Sequence, residues 1–157
     1  MARELSNHRL QNSRSVVDVY SSTRKCSILL RLRRSDGKAL ETLRSICSDS
    51  EKAIATNAFE NLTDLDIRFH ETITSSSRSE QLWKILNNIR ERSWYIRRWL
   101  FGIHHHEQDE YSAVAEHKAI LSKMIDGDIE GAGFCMREHM KKSEERTLKT
   151  LPLEEES

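Results

Sequence analysis

The only proline in the chain is Pro152, so nothing between Met1 and Leu151 carries the residue that most reliably breaks a helix. Glycine is nearly as scarce, with five in all. Apolar residues recur three and four positions apart over long uninterrupted runs, the spacing of one helical face rather than the alternation of a strand. These features predict an all-α fold. At 157 residues the chain fits one domain that buries a single core without needing disulfides.

The stripes divide the chain into segments. Residues 1–14 are polar and aperiodic and read as a flexible leader, in which His8 is solvated. Residues 15–34 carry Val16, Val19, Tyr20, Ile28, Leu29 and Leu32 at helical spacing and stop at Ser35-Asp36-Gly37. Its basic end, from Arg24 to Arg34, suits the negative end of a helix dipole and reads as a solvated face. A second helix spans residues 38–53 with Leu40, Leu43, Ile46 and Cys47 inward. A third places Phe59, Leu62, Asp66, Phe69, His70 and Ile73 on one face and ends in the serine run at 74–79. A fourth covers residues 80–101, with Trp83, Trp94, Tyr95 and Trp99 thickening its apolar face. A fifth, residues 109–126, has Ala113, Val114, His117, Ile120, Leu121 and Met124 in line. Gly127 is placed to end it and Asp128 to cap a sixth, which runs to about residue 148 with Ala132, Cys135, Met136, His139 and Met140 on one face. The expected architecture is one antiparallel bundle of about six helices over residues 15–150, followed by an acidic tail at 151–157.

Charge excludes some function classes. Lys plus Arg and Asp plus Glu both number 25, so the net charge makes no case for nucleic acid or anionic lipid. Cys26, Cys47 and Cys135 are odd in number and lack CxxC spacing, and the chain has neither a signal-like start nor an apolar run long enough to span a bilayer. Reduced thiols and a cytoplasmic location are expected.

The chemistry lies in what interrupts the stripes. Asp66 and His70 occupy positions where a core wants Leu or Ile, and leaving them unpaired there costs on the order of several kcal/mol. His117 and His139 interrupt two further stripes in the same way. Asp and His four residues apart project side by side from successive turns, and antiparallel packing brings facing helices' side chains opposite them. Three imidazoles and one carboxylate form a donor set for one divalent transition metal ion, with zinc first and nickel, manganese or iron open. His104-His105-His106 sits beside Gly102 and the acidic stretch 107–110 and reads as a solvated loop. Glu71 and Glu116 adjoin the proposed ligands but are expected to point sideways. No P-loop, G-x-G-x-x-G or G-x-S-x-G is present.

The order D-I-R-F-H at 66–70, E-H-K-A-I-L-S-K-M-I-D-G-D-I-E-G-A at 116–132 and M-R-E-H-M at 136–140 resembles the FCD ligand-binding domain of GntR-family bacterial transcription regulators. The likeness extends from about Val16 to Leu148. It implies an antiparallel helical bundle with a divalent metal at its centre, held by Asp66, His70, His117 and His139. It also implies a small organic acid effector whose carboxylate meets the metal and is gripped by arginine, for which Arg24, Arg90 and Arg97 are the candidates. A homodimer is implied as well. The family's winged helix-turn-helix has no counterpart in the short polar leader, so direct DNA binding is not expected of this chain.

Two functions compete. In a sensor domain, an acid bound at the metal shifts the packing of the bundle. In a stand-alone metalloenzyme, a hydrolase, hydratase or lyase, the metal activates water or a carbonyl, which requires a general base beside it. No carboxylate other than Asp66 falls on the inner stripes, which favours sensing. A purely structural metal is a third, plainer reading.

Overall fold

Residues 37–76, Lys84 and residues 107–150 are described by the structure, a computed structural model. Gly37, at φ 70°, leads into α1 (Lys38–Ala55), whose Leu43, Ile46, Cys47, Ser50 and Ala53 are buried. These positions are three and four apart, as one helical face requires. Ser50 is the polar member of the stripe, and its hydroxyl donates to the Ile46 carbonyl at 2.9 Å, which removes most of the cost of burying it.

The turn that ends α1 centres on Asn57, the one non-glycine with positive φ (56°) among the described residues. Asn tolerates this left-handed conformation better than most side chains. The turn closes with the Ala58 amide donating to the Ala53 carbonyl (2.8 Å) and the Asn57 amide to the Ile54 carbonyl (3.1 Å). Those two bonds are the Schellman pattern that satisfies the last carbonyls of a helix.

The chain then tightens into a 3-10 turn, Phe59–Asn61, before α2 (Leu62–Ser75). Phe59 was expected on the same α-helix as Asp66. It lies on the 3-10 turn instead, because the close of α1 at Ala58 leaves only one turn in which to redirect the chain. Phe59 is buried all the same. Along α2, Leu62, Leu65, Phe69, His70, Ile73 and Thr74 face inward. Ser75 and Ser76 close it, both hydroxyls donating to the Thr72 carbonyl.

Helices α3 (Glu107–Ile125) and α4 (Ile129–Thr150) form a hairpin. Its turn is built as the sequence indicates. Gly127 takes φ 73°, the Asp128 amide donates to the Lys123 carbonyl at 2.9 Å, and the Gly127 amide to the Met124 carbonyl at 3.2 Å. Asp128 then caps α4 through its carboxylate, which accepts the Gly131 amide at 2.9 Å. A β-carbon at Gly131 would collide with that carboxylate, so glycine is what allows the cap to close over the first turn. Lys123 pairs with Asp128, His117 meets His139, and Glu116 reaches Arg146, so contacts move outward along α4 as they move back along α3. The two helices are therefore antiparallel.

Helix α1 packs on both α2 and α3, which closes the core. Leu43, Ile46, Phe69, Ile73 and Ile120 are the largest apolar side chains fully enclosed there. Among the described residues there are four α-helices and no strand. The helices expected at 15–34 and 80–101, and with them the count of six, fall outside the described residues. No described helix is long and apolar enough to cross a membrane.

Candidate metal centre

Helix α2 presents Asp66 and His70 one turn apart, α3 presents His117, and α4 presents His139. The structure brings all four together, with one ligand atom from each lying within 4.8 Å of the others. The three histidines are buried and Asp66 is half-buried. His139 is the centre of the group. Its Nε2 lies 3.2 Å from Nε2 of His70 and 3.2 Å from Nε2 of His117. Asp66 Oδ1 lies 3.5 Å from Nε2 of His117 and 3.8 Å from Nε2 of His70.

The imidazole separations fit a shared cation, with the Asp66 oxygen a little farther out. Bonds of about 2.0–2.1 Å place neighbouring donors about 3.3 Å apart around a tetrahedral ion and about 2.9 Å apart around an octahedral one. The observed 3.2 Å between imidazole nitrogens lies within that interval. Three ring nitrogens facing one another with a carboxylate oxygen beside them also make a poor hydrogen-bond set. One imidazole lone pair cannot serve two ring N–H donors equally, and two lone pairs facing each other repel. A cation at their common centre would resolve that conflict.

The rings are held in plane by packing. Phe69, fully buried, stacks on the His117 imidazole with ring centroids 4.0 Å apart and 13° between planes. It meets His70 edge-on at 5.7 Å and 87°. The same side chain therefore fixes two of the four groups, which places the apolar stripe of α2 in the service of its polar members.

Beyond the cluster lies an arrangement that the sequence reading misses. Glu116 was expected to point sideways from α3. Its carboxylate instead turns toward α4, where Oε2 accepts the Nδ1 proton of His139 at 2.8 Å. The reason is geometric: residue 116 is one step of about 100° around the helix from His117, and in an antiparallel hairpin the flank of the inward stripe faces the partner helix. Arg146 on α4 grips the same carboxylate with both arms, Nη1 to Oε1 at 3.0 Å and Nη2 to Oε2 at 2.9 Å. Lys142 approaches Oε1 at 3.8 Å. Burial alone would raise the Glu116 carboxyl, but the hydrogen bonds from His139 and Arg146, together with the Arg146 charge, hold it down at about 2. The signal available in the sequence was Arg146 itself, two turns beyond His139 and hence on the same face of α4.

Arg24, Arg90 and Arg97, the candidate effector arginines, lie outside the described residues, as do His104 to His106 and Cys26. Cys47 is buried and Cys135 half-buried, and both are free thiols. Burial, and then the charge of Glu51, pushes the Cys47 thiol up to about 11.

Comparison with known proteins adds one finding. The model of the family described as FCD domain matches residues 27–142, a span that contains all four clustered residues and Glu116. No curated protein and no solved structure matches the chain.

Proposed function

This chain belongs to the FCD domain family, and from that premise we propose that it is a metal-dependent sensor of a small organic acid, the ligand-binding part of a GntR-type transcriptional regulator. FCD domains of such regulators bind small-molecule effectors and metals, so the coarse assignment to a regulatory ligand-binding domain follows from membership. The finer reading is carried by one observation: four metal-capable groups from three different helices converge in the core.

Asp66, His70, His117 and His139 would hold the ion, whose chemistry is to offer a positive centre for a carboxylate oxygen. Zinc is the first expectation, with nickel, manganese or iron as alternatives. Arg24, Arg90 and Arg97 are proposed to grip the acid, since a guanidinium fork matches a carboxylate. Because the ligands come from α2, α3 and α4, an acid that prefers one arrangement of these helices biases their packing, and a homodimer would transmit the change. Catalysis is less well supported. Glu116, the carboxylate placed beside the cluster, is committed to His139 and Arg146 and makes a poor general base.

A titration with a panel of small mono-, di- and tricarboxylates tests the reading, run on metal-loaded and chelated protein and on Arg90→Ala and Arg97→Ala. Saturable binding of at least one acid that disappears on chelation is expected. Acid binding indifferent to chelation would contradict a metal-dependent sensor, and conversion of the bound acid to product would transfer the site to the enzymes.

A further inference from the structure

A carboxylate that merely tied α3 to α4 would have no reason to choose the outer nitrogen of a clustered histidine. Glu116 does choose it. One of its oxygens, Oε2, serves both His139 Nδ1 (2.8 Å) and Arg146 Nη2 (2.9 Å), while Oε1 takes Arg146 Nη1 (3.0 Å). His139 and Arg146 lie two turns apart on α4, so one carboxylate from α3 spans both. The arrangement is enclosed: side-chain exposure is 1% for His139, 14% for Glu116 and 17% for Arg146.

We propose that Glu116, itself held by Arg146, is a positioning residue that fixes the tautomer and ring plane of His139 and thereby sets how tightly the cluster holds its ion. This rests on the metal reading above. The chemistry follows from what each group can do. An ionised carboxylate only accepts hydrogen bonds, so the proton on the His139 ring resides on Nδ1 and the Nε2 lone pair is left facing His70 and His117. The negative charge behind the ring makes that nitrogen a stronger donor to a cation. Arg146 supplies a bidentate anchor that fixes the carboxylate in the plane the imidazole needs, and its charge offsets the cost of burying an acid there. Without Glu116, His139 is free to place its proton on Nε2, which removes one of the four donors.

The test compares the full chain with Glu116→Ala, Glu116→Gln and Arg146→Ala. Imidazole ¹⁵N shifts are read in the metal-free state, and zinc affinity is read by competition with a chelating dye. In the wild type, His139 should be protonated at Nδ1 before any zinc is added. Glu116→Ala should mix the tautomers and weaken zinc by about 10–100-fold with the stoichiometry unchanged, the range found when such outer carboxylates are removed. Glu116→Gln keeps an oxygen for Nδ1–H but loses the charge and one arm of the Arg146 fork, so it should retain the tautomer and lose less affinity. Arg146→Ala should do the same. If Glu116→Ala does not fold, the wild-type tautomer and the glutamine variant decide alone. Wild-type His139 protonated at Nε2, or a variant set that binds zinc as tightly as the wild type, would overturn the proposal and leave the metal reading standing. A wild type that takes up no zinc or other divalent ion would refute the metal reading itself, and this proposal with it.

Discussion

Phe69 is where the apolar core and the polar cluster depend on the same side chain, and its removal separates their contributions. The ring is fully buried, lies parallel to His117 at 4.0 Å and abuts His70 at 5.7 Å. Phe69→Ala deletes a wall of the core and leaves a cavity, a change that costs about 3–5 kcal/mol. For a domain of this size each kcal/mol lowers the midpoint by roughly 2–4 °C, so melting should fall by roughly 6–20 °C. Phe69→Leu restores much of the volume and should recover most of that loss, but it has no face to lay against an imidazole. Thermal unfolding followed by circular dichroism in excess chelator measures the packing term without any contribution from bound ion. Zinc competition then measures orientation: both variants should bind more weakly than the wild type, by about tenfold or more if the ring matters as much as other groups that orient metal ligands. Zinc binding by Phe69→Leu at wild-type strength would show that the stack does not orient His117. Chelated Phe69→Ala melting with the wild type would refute the placement of residue 69 in the core.

Other consequences follow from local geometry. Gly127→Ala forces a β-carbon into φ 73° and should destabilise the α3–α4 hairpin by about 1–2 kcal/mol, seen as a lower midpoint in denaturant with an unchanged slope. The Cys47 thiol, pushed from 9.0 up to about 11, should react slowly with thiol reagents at neutral pH in the folded chain and quickly once unfolded. Its folded pKa is raised, so the stability it contributes is present below pH 9.0 and is lost as pH rises through about 11; alkaline unfolding of a Cys47→Ala variant should shift accordingly. Ile120→Val trims one methylene group's worth of carbon from a fully buried position and should cost about 0.5–1.5 kcal/mol, checked by the same denaturant titration.

How far the sequence announces this structure differs from element to element. The stripe of α1, the turn at Gly127 and the cap at Asp128 are legible because each rests on a local rule: helical spacing, a positive φ, an acceptor before a helix. The candidate site is legible for a related reason. Asp66, His70, His117 and His139 each break an apolar pattern, and the break is visible before any tertiary contact is known. Phe59 was misplaced because the end of α1 depends on Asn57 adopting a left-handed conformation, which an Asn in sequence does not announce. Glu116 and Arg146 were missed for a deeper reason. Charged residues on the flank of a stripe belong by default to the solvated face, and only the angle at which α3 meets α4 turns one carboxylate toward His139.

Metal content bears most directly on the central claim. The untagged chain, with Asp66→Ala and His117→Ala beside it, should be analysed by inductively coupled plasma mass spectrometry, and the melting midpoint of each read before and after chelation. The account predicts a stoichiometric divalent ion in the wild type and none in either variant. At free metal roughly a thousandfold above Kd, the bound ion should stabilise the wild type by about 4 kcal/mol, or roughly 8–16 °C, with no response from the variants. A wild type that carries no ion after metal is added back, and melts at the same temperature with and without chelator, would mean that the four inward groups satisfy one another by hydrogen bonds and that the cluster is not a metal centre.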